Sequence, residues 1–302
     1  MTDGAPGTGR LDLYGRVAEE TASRVIRRYS TSFGAASRLL GPGVRQHVEN
    51  VYALVRVADE VVDGGAADAG RAPDAARAVL DGLEAETERA MAEGYSANLV
   101  VHAFATTART TGIGAELTRP FFASMRTDLD RTEYDEDGFV AYVYGSAEVV
   151  GLMCLRAFVL ETPDPAAEYE RFTPGARALG AAFQKVNFLR DLRTDARELG
   201  RSYFPGVDLS AFTEAEKTRL ADDIDADLAT AAAVIPRLPA SSRRAVALAH
   251  ALFSELNRRI RSTPAPALLE RRIRVPDPVK LRIAVGAAAG RVAVPAGTRV
   301  AR

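Results

Sequence analysis

The chain has 302 residues, of which 47% are hydrophobic and 26% are charged, and its formal net charge is −1. A chain of this length and composition forms one large core or two ordinary domains and is not disordered throughout. Its acidic and basic residues are mixed along the sequence, with no long basic block, which argues against nucleic acid as a partner.

The sequence also disfavours cysteine and histidine chemistry. Cys154 is the only cysteine, which excludes an internal disulfide and a cysteine cage for a metal and agrees with a reducing compartment. His47, His102 and His250 are far apart, so a histidine-rich metal site is not expected. The N-terminus lacks the apolar stretch of a signal peptide, and the weakly polar run at 283–290 is shorter than the ~18 residues of a membrane span. We therefore expect a cytoplasmic protein.

Apolar residues recur every three or four positions in almost every long segment, and alternating runs typical of strands are scarce. This pattern predicts an all-α protein with a single domain over 1–302, with flexible tails at 1–12 and 291–302. The predicted helices span 12–29, 44–63, 74–93, 97–112, 116–130, 137–160, 168–172, 175–198, 213–235, 240–261 and 277–290. The stretch TEAE at 213–216 is a capping box, which predicts a helix start.

The helix predicted at 44–63 carries a polar stripe. Tyr52, Arg56, Asp59 and Asp63 recur at spacings of four, three and four residues in YALVRVADEVVDG, which places them on one line of a helix. Most of the remaining circumference is apolar, which predicts that the helix is buried. The pattern thus puts two carboxylates and an arginine on one face of a buried helix.

A second predicted helix repeats this arrangement. In QKVNFLRDLRTDARELGRSYFP (184–205), the polar residues Gln184, Asn187, Asp191 and Asp195 are spaced three, four and four residues apart among an apolar majority.

Paired aspartates inside a protein need compensation, because a buried charge without a partner costs several kcal/mol. Arg56 and Arg190 supply part of it. A hard divalent cation supplies the rest, since oxygen ligands suit Mg²⁺ or Mn²⁺ and Mg²⁺ is often shared between carboxylates and substrate phosphates. One such stripe alone is typical of a solvated helix face, whereas two on apolar helices favour a metal and diphosphate site.

Two other features receive structural interpretations. The acidic stretch DLDRTEYDEDG at 128–138 is expected to be a solvated loop, with Asp128 facing a cavity as the alternative. Cys154 is expected to be a small core residue.

Five blocks of the sequence, in order over residues 27–282, resemble the squalene/phytoene synthase family. The fourth block is the most specific of them and the fifth the weakest. The blocks are RRYSTSFGAASRLL, YALVRVADEVVD, YVYGSAEVVGLM, QKVNFLRDLRTDARELGRSYFP and RRIRVPDPVKLR.

The resemblance implies an isoprenoid synthase helical bundle around a central cavity, which binds prenyl diphosphates with Mg²⁺ or Mn²⁺. The implied metal site comprises Asp59, Asp63, Asn187, Asp191 and Asp195. The implied substrate contacts are Ser30, Ser32 and Phe33 as a flap, Arg45, Arg56, Arg190 and Tyr203 at the diphosphates, and Gln184 beside the second metal cluster. Tyr52 and Tyr142 are implied to lie close to the reacting carbons.

The third block departs from the family pattern Val-Ala-Gly-x-Val-Gly. This chain has Ser146-Ala147-Glu148-Val149-Val150-Gly151, so a glutamate replaces the first glycine. We expect Glu148 to point sideways and pair with a neighbouring helix. The alternative is that it turns into the pocket, where it places a negative charge near the reaction path.

The leading functional hypothesis is a phytoene-type synthase that joins two C20 geranylgeranyl diphosphates through a cyclopropyl diphosphate. Its nearest competitor is a squalene-type synthase that joins two C15 farnesyl diphosphates, and only this alternative uses NADPH. A terpene cyclase or single-substrate lyase on the same scaffold and a non-catalytic cation-binding protein remain as further alternatives.

The weakest block carries a cluster of four basic residues, Arg271, Arg272, Arg274 and Lys280. Because the product of either synthase is an oily hydrocarbon, the cluster suggests peripheral association with the inner membrane surface. Ordinary surface charge and a contact with diphosphate are the alternatives.

Overall fold

The computed structural model describes residues 9–63, 65–70, 72–197 and 202–290. Within these ranges the regular structure is helical, with one isolated bridge between Glu133 and Ser202, which confirms the all-α prediction. The α-helices are α1 (Arg10–Tyr29), α2 (Thr31–Ser37), α3 (Pro42–Val62), α4 (Gly65–Asp68), α5 (Pro73–Glu93), α6 (Leu99–Thr111), α7 (Ala115–Asp130), α8 (Glu136–Val143), α9 (Val149–Val159), α10 (Pro165–Arg197), α11 (Glu214–Val234), α12 (Ala240–Arg261), α13 (Ala265–Leu268) and α14 (Asp277–Ala288).

The helices bury two large apolar clusters. The first lies among α1, α3, α5, α6, α7 and α9, and it includes Leu54, Phe104 and Phe122. The second lies among α10, α11 and α12, and it includes Leu189 and Ile224. Helix α3 belongs to the first cluster. Helix α10 contributes Phe172 near its start to the first cluster, and the half that carries the predicted stripe packs in the second cluster.

Two boundary predictions are wrong for identifiable reasons. Helix α1 begins at Arg10, inside the predicted tail, because the Asp12 carboxylate accepts a hydrogen bond from the Gly9 backbone N–H at 3.0 Å and so stabilises the first turn. Residues 1–8 and 291–302 lie outside the described residues. The segments 168–172 and 175–198, predicted as separate helices, form the single helix α10.

Helix α10 continues through Pro174, although proline lacks the N–H donor and crowds the preceding turn. Tertiary packing against α9 and α11 outweighs this local cost. The next residue, Gly175, shows how close the packing is, since a Cβ there would lie 2.1 Å from a methyl carbon of Val234. The predicted capping box is confirmed, with Glu216 N–H donating to Thr213 Oγ1 and Thr213 N–H to Glu216 Oε2.

The segment predicted as one helix at 137–160 contains a wider turn. Tyr144–Glu148 forms a π-helical turn between α8 and α9. Within this turn Gly145 lies against α7, where a Cβ would be 2.3 Å from the Pro120 carbonyl oxygen. Turns of this kind are frequent at functional sites.

By length and composition alone, Glu136–Val159 is the one helical segment in the described part of the chain that could cross a membrane, with a mean hydropathy of 1.5. The apolar periodicity did not single it out. It packs against α7 and α10, and a core helix passes the same test, so this is weak evidence for a span.

Candidate active site

A cavity of about 810 Å³ lies between the two apolar clusters. Along α10 the lining of the cavity changes from the apolar residues Phe172, Ala176 and Leu179 to the second polar stripe, which begins at Gln184. The remaining polar lining residues are Tyr29, Ser30, Ser37, Tyr52, Arg56, Asp59, Asp63, Asp128, Tyr142, Ser146, Asn187, Arg190, Asp191, Tyr203, Arg272, Arg274 and Lys280. The cavity therefore has a polar end and an apolar end, as a diphosphate attached to a hydrocarbon requires.

The first stripe lines the polar end. Tyr52, Arg56, Asp59 and Asp63 all contribute to the wall, while Ala58 on the same helix is fully buried. Helix α3 ends at this wall, with Asp63 as its C-cap. The helical spacing therefore predicted correctly which side chains share a face.

Asp59 carries unusual electrostatics. Its side chain keeps 31% of its surface accessible, and it lies on the cavity wall. Burial within the protein, together with the negative charges of Asp63 and Asp128, raises the pKa of Asp59 from 3.8 to about 7, against the opposing effect of Arg56. The site thus has an excess of negative charge that a bound cation would relieve.

Arg56 is held at the edge of the stripe by several partners. Its guanidinium is paired with Glu60, lies 4.0 Å from Asp59 and stacks over the Tyr29 ring at 4.8 Å from the centroid. The enclosed Nε of Arg56 has no hydrogen-bond partner among the described residues. The arginine therefore retains a donor for a further anion.

The second stripe faces the same cavity. Gln184, Asn187, Arg190 and Asp191 all line it. The Asp191 carboxylate accepts hydrogen bonds from Arg190 and is paired with Arg272, whose Nε lies 2.7 Å from Oδ1.

Two of the predicted side chains lie outside the described residues. They are Asp195, on the last turns of α10, and Ser32, on α2. Their implied roles stay predictions.

The polar end suits a divalent cation that is shared with substrate oxygens. The potential metal ligands here are the carboxylate oxygens of Asp59, Asp63 and Asp191 and the amide oxygen of Asn187. The enclosed Oδ1 of Asn187 has no hydrogen-bond partner in the described part of the chain. Over the same residues, no group of three or more His, Cys, Asp or Glu side chains is arranged to hold a metal. Mg²⁺ commonly binds one or two carboxylates together with phosphates, so this donor set fits Mg²⁺ or Mn²⁺ beside a diphosphate.

Asp128 takes the alternative position that the sequence left open, on the cavity wall. Instead of lying in a solvated loop, it is buried on the last turn of α7, and its Oδ2 accepts a hydrogen bond from Tyr142 at 2.8 Å. The Tyr203 hydroxyl donates to Oδ1 at 3.4 Å. Burial, and then the charge of Asp128, raises the pKa of Tyr142 well above its ordinary value, so this tyrosine stays protonated.

The segment implied to form a flap covers one side of the cavity. Ser30 is the N-cap of α2 and accepts a hydrogen bond from the Phe33 N–H at 3.0 Å. The Phe33 ring packs on Phe183 and Phe253, at centroid distances of 5.8 and 5.9 Å. The Phe33 ring also packs against the Tyr52 ring, with the centroids 6.3 Å apart. The flap is thus linked to the first stripe.

Arg45 is the one predicted diphosphate contact that the described structure does not bring to the cavity wall. Its guanidinium donates to the carbonyl oxygens of Ser37, Arg38 and Leu40, at 3.1, 2.8 and 2.9 Å. These carbonyls lie at and just after the end of α2, where helices leave acceptors unsatisfied. In this structure Arg45 anchors the flap.

Glu148 points away from the cavity, as expected. Its Oε2 accepts a hydrogen bond from Arg177 Nε of α10 at 2.6 Å, and its side chain is 13% exposed. Arg177 also stacks over the Tyr144 ring at 5.2 Å from the centroid. The prediction of a sideways ion pair with a neighbouring helix is confirmed.

Cys154 lies on the cavity wall, on a row with Ser146, Val150 and Phe158 at intervals of four residues. Burial raises the pKa of the Cys154 thiol to about 12. The cysteine is therefore a neutral apolar wall residue rather than a nucleophile.

The basic cluster of the fifth block is divided by the structure. Arg272, Arg274 and Lys280 line the cavity, whereas Arg271 is not part of its lining. Three of the four basic residues therefore lie where they could contact a diphosphate in the cavity, which is one of the alternatives to a membrane contact.

The model of the squalene/phytoene synthase family matches residues 26–278. Over 190 residues the chain is 33% identical to a 15-cis-phytoene synthase of Paracoccus sp., covering 62% of this chain and 59% of that one. It is 31% identical over 209 residues to the 15-cis-phytoene synthase of Synechococcus elongatus, covering 66% and 65%. The matches thus span less than two thirds of these relatives.

Solved structures share the fold. A dehydrosqualene synthase in complex with ligand superposes with a TM-score of 0.72 at 20% identity, covering 92% of this chain and 98% of that one. Squalene synthase HpnC from Alicyclobacillus acidocaldarius gives a TM-score of 0.70 at 22% identity, with coverages of 83% and 95%.

Proposed function

Because the chain belongs to the squalene/phytoene synthase family, we propose that it joins two molecules of geranylgeranyl diphosphate head to head to form phytoene. The observation that carries the proposal is the presence of two carboxylate stripes on one cavity whose other end is apolar. The polar end suits two diphosphates, and the apolar end suits their hydrocarbon chains. Relatives named phytoene synthase support the C20 chain length and a place in carotenoid biosynthesis.

The first half of the reaction breaks the bond between C1 and the diphosphate oxygen of one substrate. Arg56 and Arg190 stand at the polar end, where they stabilise the charge that develops on the leaving diphosphate. When bound by Asp59, Asp63, Asn187 and Asp191, Mg²⁺ or Mn²⁺ ions neutralise the same charge as Lewis acids. We propose Asp195 as a further ligand.

The allylic cation that remains is attacked by the double bond of the second substrate, which gives a cyclopropyl diphosphate after loss of a proton. Tyr142 lies at this end of the cavity beside the buried Asp128. A buried carboxylate and electron-rich rings stabilise a nearby cation. We propose that Tyr142 and Tyr52, which both line the cavity, contact the reacting carbons without acting as nucleophiles.

Loss of the second diphosphate opens the three-membered ring, and loss of a proton leaves a neutral C40 hydrocarbon. No reductant is consumed in this route, so NADPH is not required. The protein must instead keep water away from the cation. Phe33, Phe183 and Phe253 pack against one another on the cavity wall and give it apolar surface there.

Because phytoene is insoluble in water, we further propose that the protein acts in the cytoplasm in loose contact with the inner membrane surface.

The proposal is tested by incubating the purified protein with Mg²⁺ and geranylgeranyl diphosphate alone. We expect a C40 hydrocarbon with the mass and triene absorption of phytoene, and we expect Asp63→Asn to reduce its formation by orders of magnitude. A cyclised C20 terpene would identify a cyclase instead. Unchanged prenyl diphosphates would contradict the enzyme assignment.

A further inference from the structure

Two large apolar side chains lie exposed on α14. Leu281 is 66% exposed and Val285 is 61% exposed, and their spacing of four residues places them on one face of the helix. The opposite face is held by Ala287 and Ile283, which pack against Leu248 and Leu252 of α12. The apolar face is therefore presented to solvent by a helix that is fixed to the bundle.

The segment that carries this face is rich in basic residues. Residues 271–282 contain five basic residues and one acidic residue. Arg271, Arg274 and Arg282 are exposed. An apolar stripe flanked by arginines is the composition of a surface that lies in the headgroup region of an anionic bilayer.

The same segment forms part of the cavity wall. Arg272, Ile273, Arg274 and Val275, which precede α14, and Lys280 within it all line the cavity. The exposed stripe begins at the next residue, Leu281. A membrane contacted by this stripe would therefore lie beside the cavity from which a hydrocarbon product must leave.

We propose that α14 is a membrane-docking face. Leu281 and Val285 enter the acyl boundary of an anionic bilayer, and Arg271 and Arg282, which are exposed and do not line the cavity, contact its phosphate headgroups. This inference rests on the proposed function, because a hydrocarbon product gives the enzyme a reason to discharge into lipid.

Helix α1 offers a matched control. It carries the same residue types at the same spacing, Leu13 and Val17, which are 57% and 42% exposed. The charges around this pair are mixed, with Arg16 between the two residues and Asp12 before them. Neither residue lines the cavity. If exposed apolar area alone sufficed for docking, the two pairs would behave alike.

The test is cosedimentation of the full chain with vesicles of phosphatidylcholine and phosphatidylglycerol. We expect the double variant Leu281→Ser/Val285→Ser to bind at least about tenfold more weakly than the unchanged protein, because burial of each side chain is lost. Leu13→Ser/Val17→Ser should bind within about twofold of it. Circular dichroism establishes that each variant is folded, and the single variant Leu281→Ser repeats the test if the double variant is not.

A charge-reversal variant tests whether binding depends on anionic lipid. Arg282→Glu should weaken binding to the anionic vesicles and leave the weak binding to pure phosphatidylcholine unchanged, and added salt should reduce the difference. Equal binding by the α14 variant and the unchanged protein, equal loss in the α1 control, or no vesicle binding at all would overturn the proposal. The assay uses no prenyl substrate, so its outcome is independent of the product that the enzyme makes.

Discussion

The Tyr142 hydroxyl donates a hydrogen bond of 2.8 Å to the buried carboxylate of Asp128, fourteen residues earlier in the chain. The contact places a carboxylate behind one of the two tyrosines that the family resemblance implies to lie near the reacting carbons. The charge of Asp128 also contributes to the raised pKa of Asp59, so it is felt at the first stripe.

We expect Asp128→Asn to lower kcat by about a hundredfold with little change in KM, because it removes a negative charge that stabilises the cation and not a substrate contact. Steady-state kinetics with geranylgeranyl diphosphate measure this. Asp130→Asn is the matched control, since Asp130 lies on the same helix but is exposed and paired with Arg77. Equal rates in the two variants would remove Asp128 from the mechanism.

Asp59→Asn should abolish turnover and yet stabilise the metal-free protein. The folded-state pKa of Asp59 is about 7, above the value of 3.8 expected when unfolded, so the native state binds this proton more tightly. The free energy of unfolding therefore falls as the pH rises between these values, and the cost is complete above the folded pKa. The Asp59→Asn variant has no carboxyl group to ionise, so its free energy of unfolding does not fall for this reason.

Melting temperatures in EDTA provide the check. At about pH 8 the Asp59→Asn variant should melt at least about 2 °C above the unchanged protein, and the difference should shrink towards about pH 5. The buried histidines titrate alike in both proteins, so they cancel in the comparison. Asp68→Asn, at an exposed position just beyond α3, should show no such difference. A lower melting temperature for Asp59→Asn at both pH values would show that its charge is already compensated.

Arg45 and Arg56 should differ in their effect on anion binding. Arg45→Gln removes the anchor of α2 and should raise KM for the prenyl substrate, while leaving the affinity for Mg²⁺ and inorganic diphosphate nearly unchanged. Arg56→Gln removes a cationic group from the cavity wall and should weaken diphosphate binding by at least about tenfold. Calorimetric titration distinguishes the two. If Arg45→Gln also lost affinity for diphosphate, Arg45 would contact the diphosphate, as the family resemblance implies, and would not serve only as an anchor of α2.

Glu148→Gly should change the rate by less than about tenfold and leave the product unaltered, since the main cost is glycine's helix penalty of about 1 kcal/mol. The lost pair with Arg177 contributes little, because Arg177 is 49% exposed. Arg177→Gln is the companion variant, expected to behave alike. A changed product profile in Glu148→Gly alone would show that the glutamate shapes the cavity.

Local periodicity was enough to predict the helices and the two stripes, because residues three or four apart on a helix share a face whatever surrounds them. It could give Asp128 as a site residue only as an alternative, because its burial depends on Tyr142 and on Tyr203, which is 75 residues away in sequence. It could not predict the π-helical turn, which follows from the close approach of Gly145 to α7. Arg45 was predicted at the diphosphates from its position in the sequence, but this position does not determine which way a long side chain turns.

Competition between chain lengths tests the central claim most directly. The purified protein is given equal concentrations of farnesyl and geranylgeranyl diphosphate with Mg²⁺, in parallel reactions with and without NADPH. The hydrocarbon products are identified and quantified by mass spectrometry. We predict that the C40 hydrocarbon phytoene dominates in both reactions and that NADPH changes neither its amount nor its mass. A dominant C30 product, above all squalene formed only with NADPH, would contradict the account.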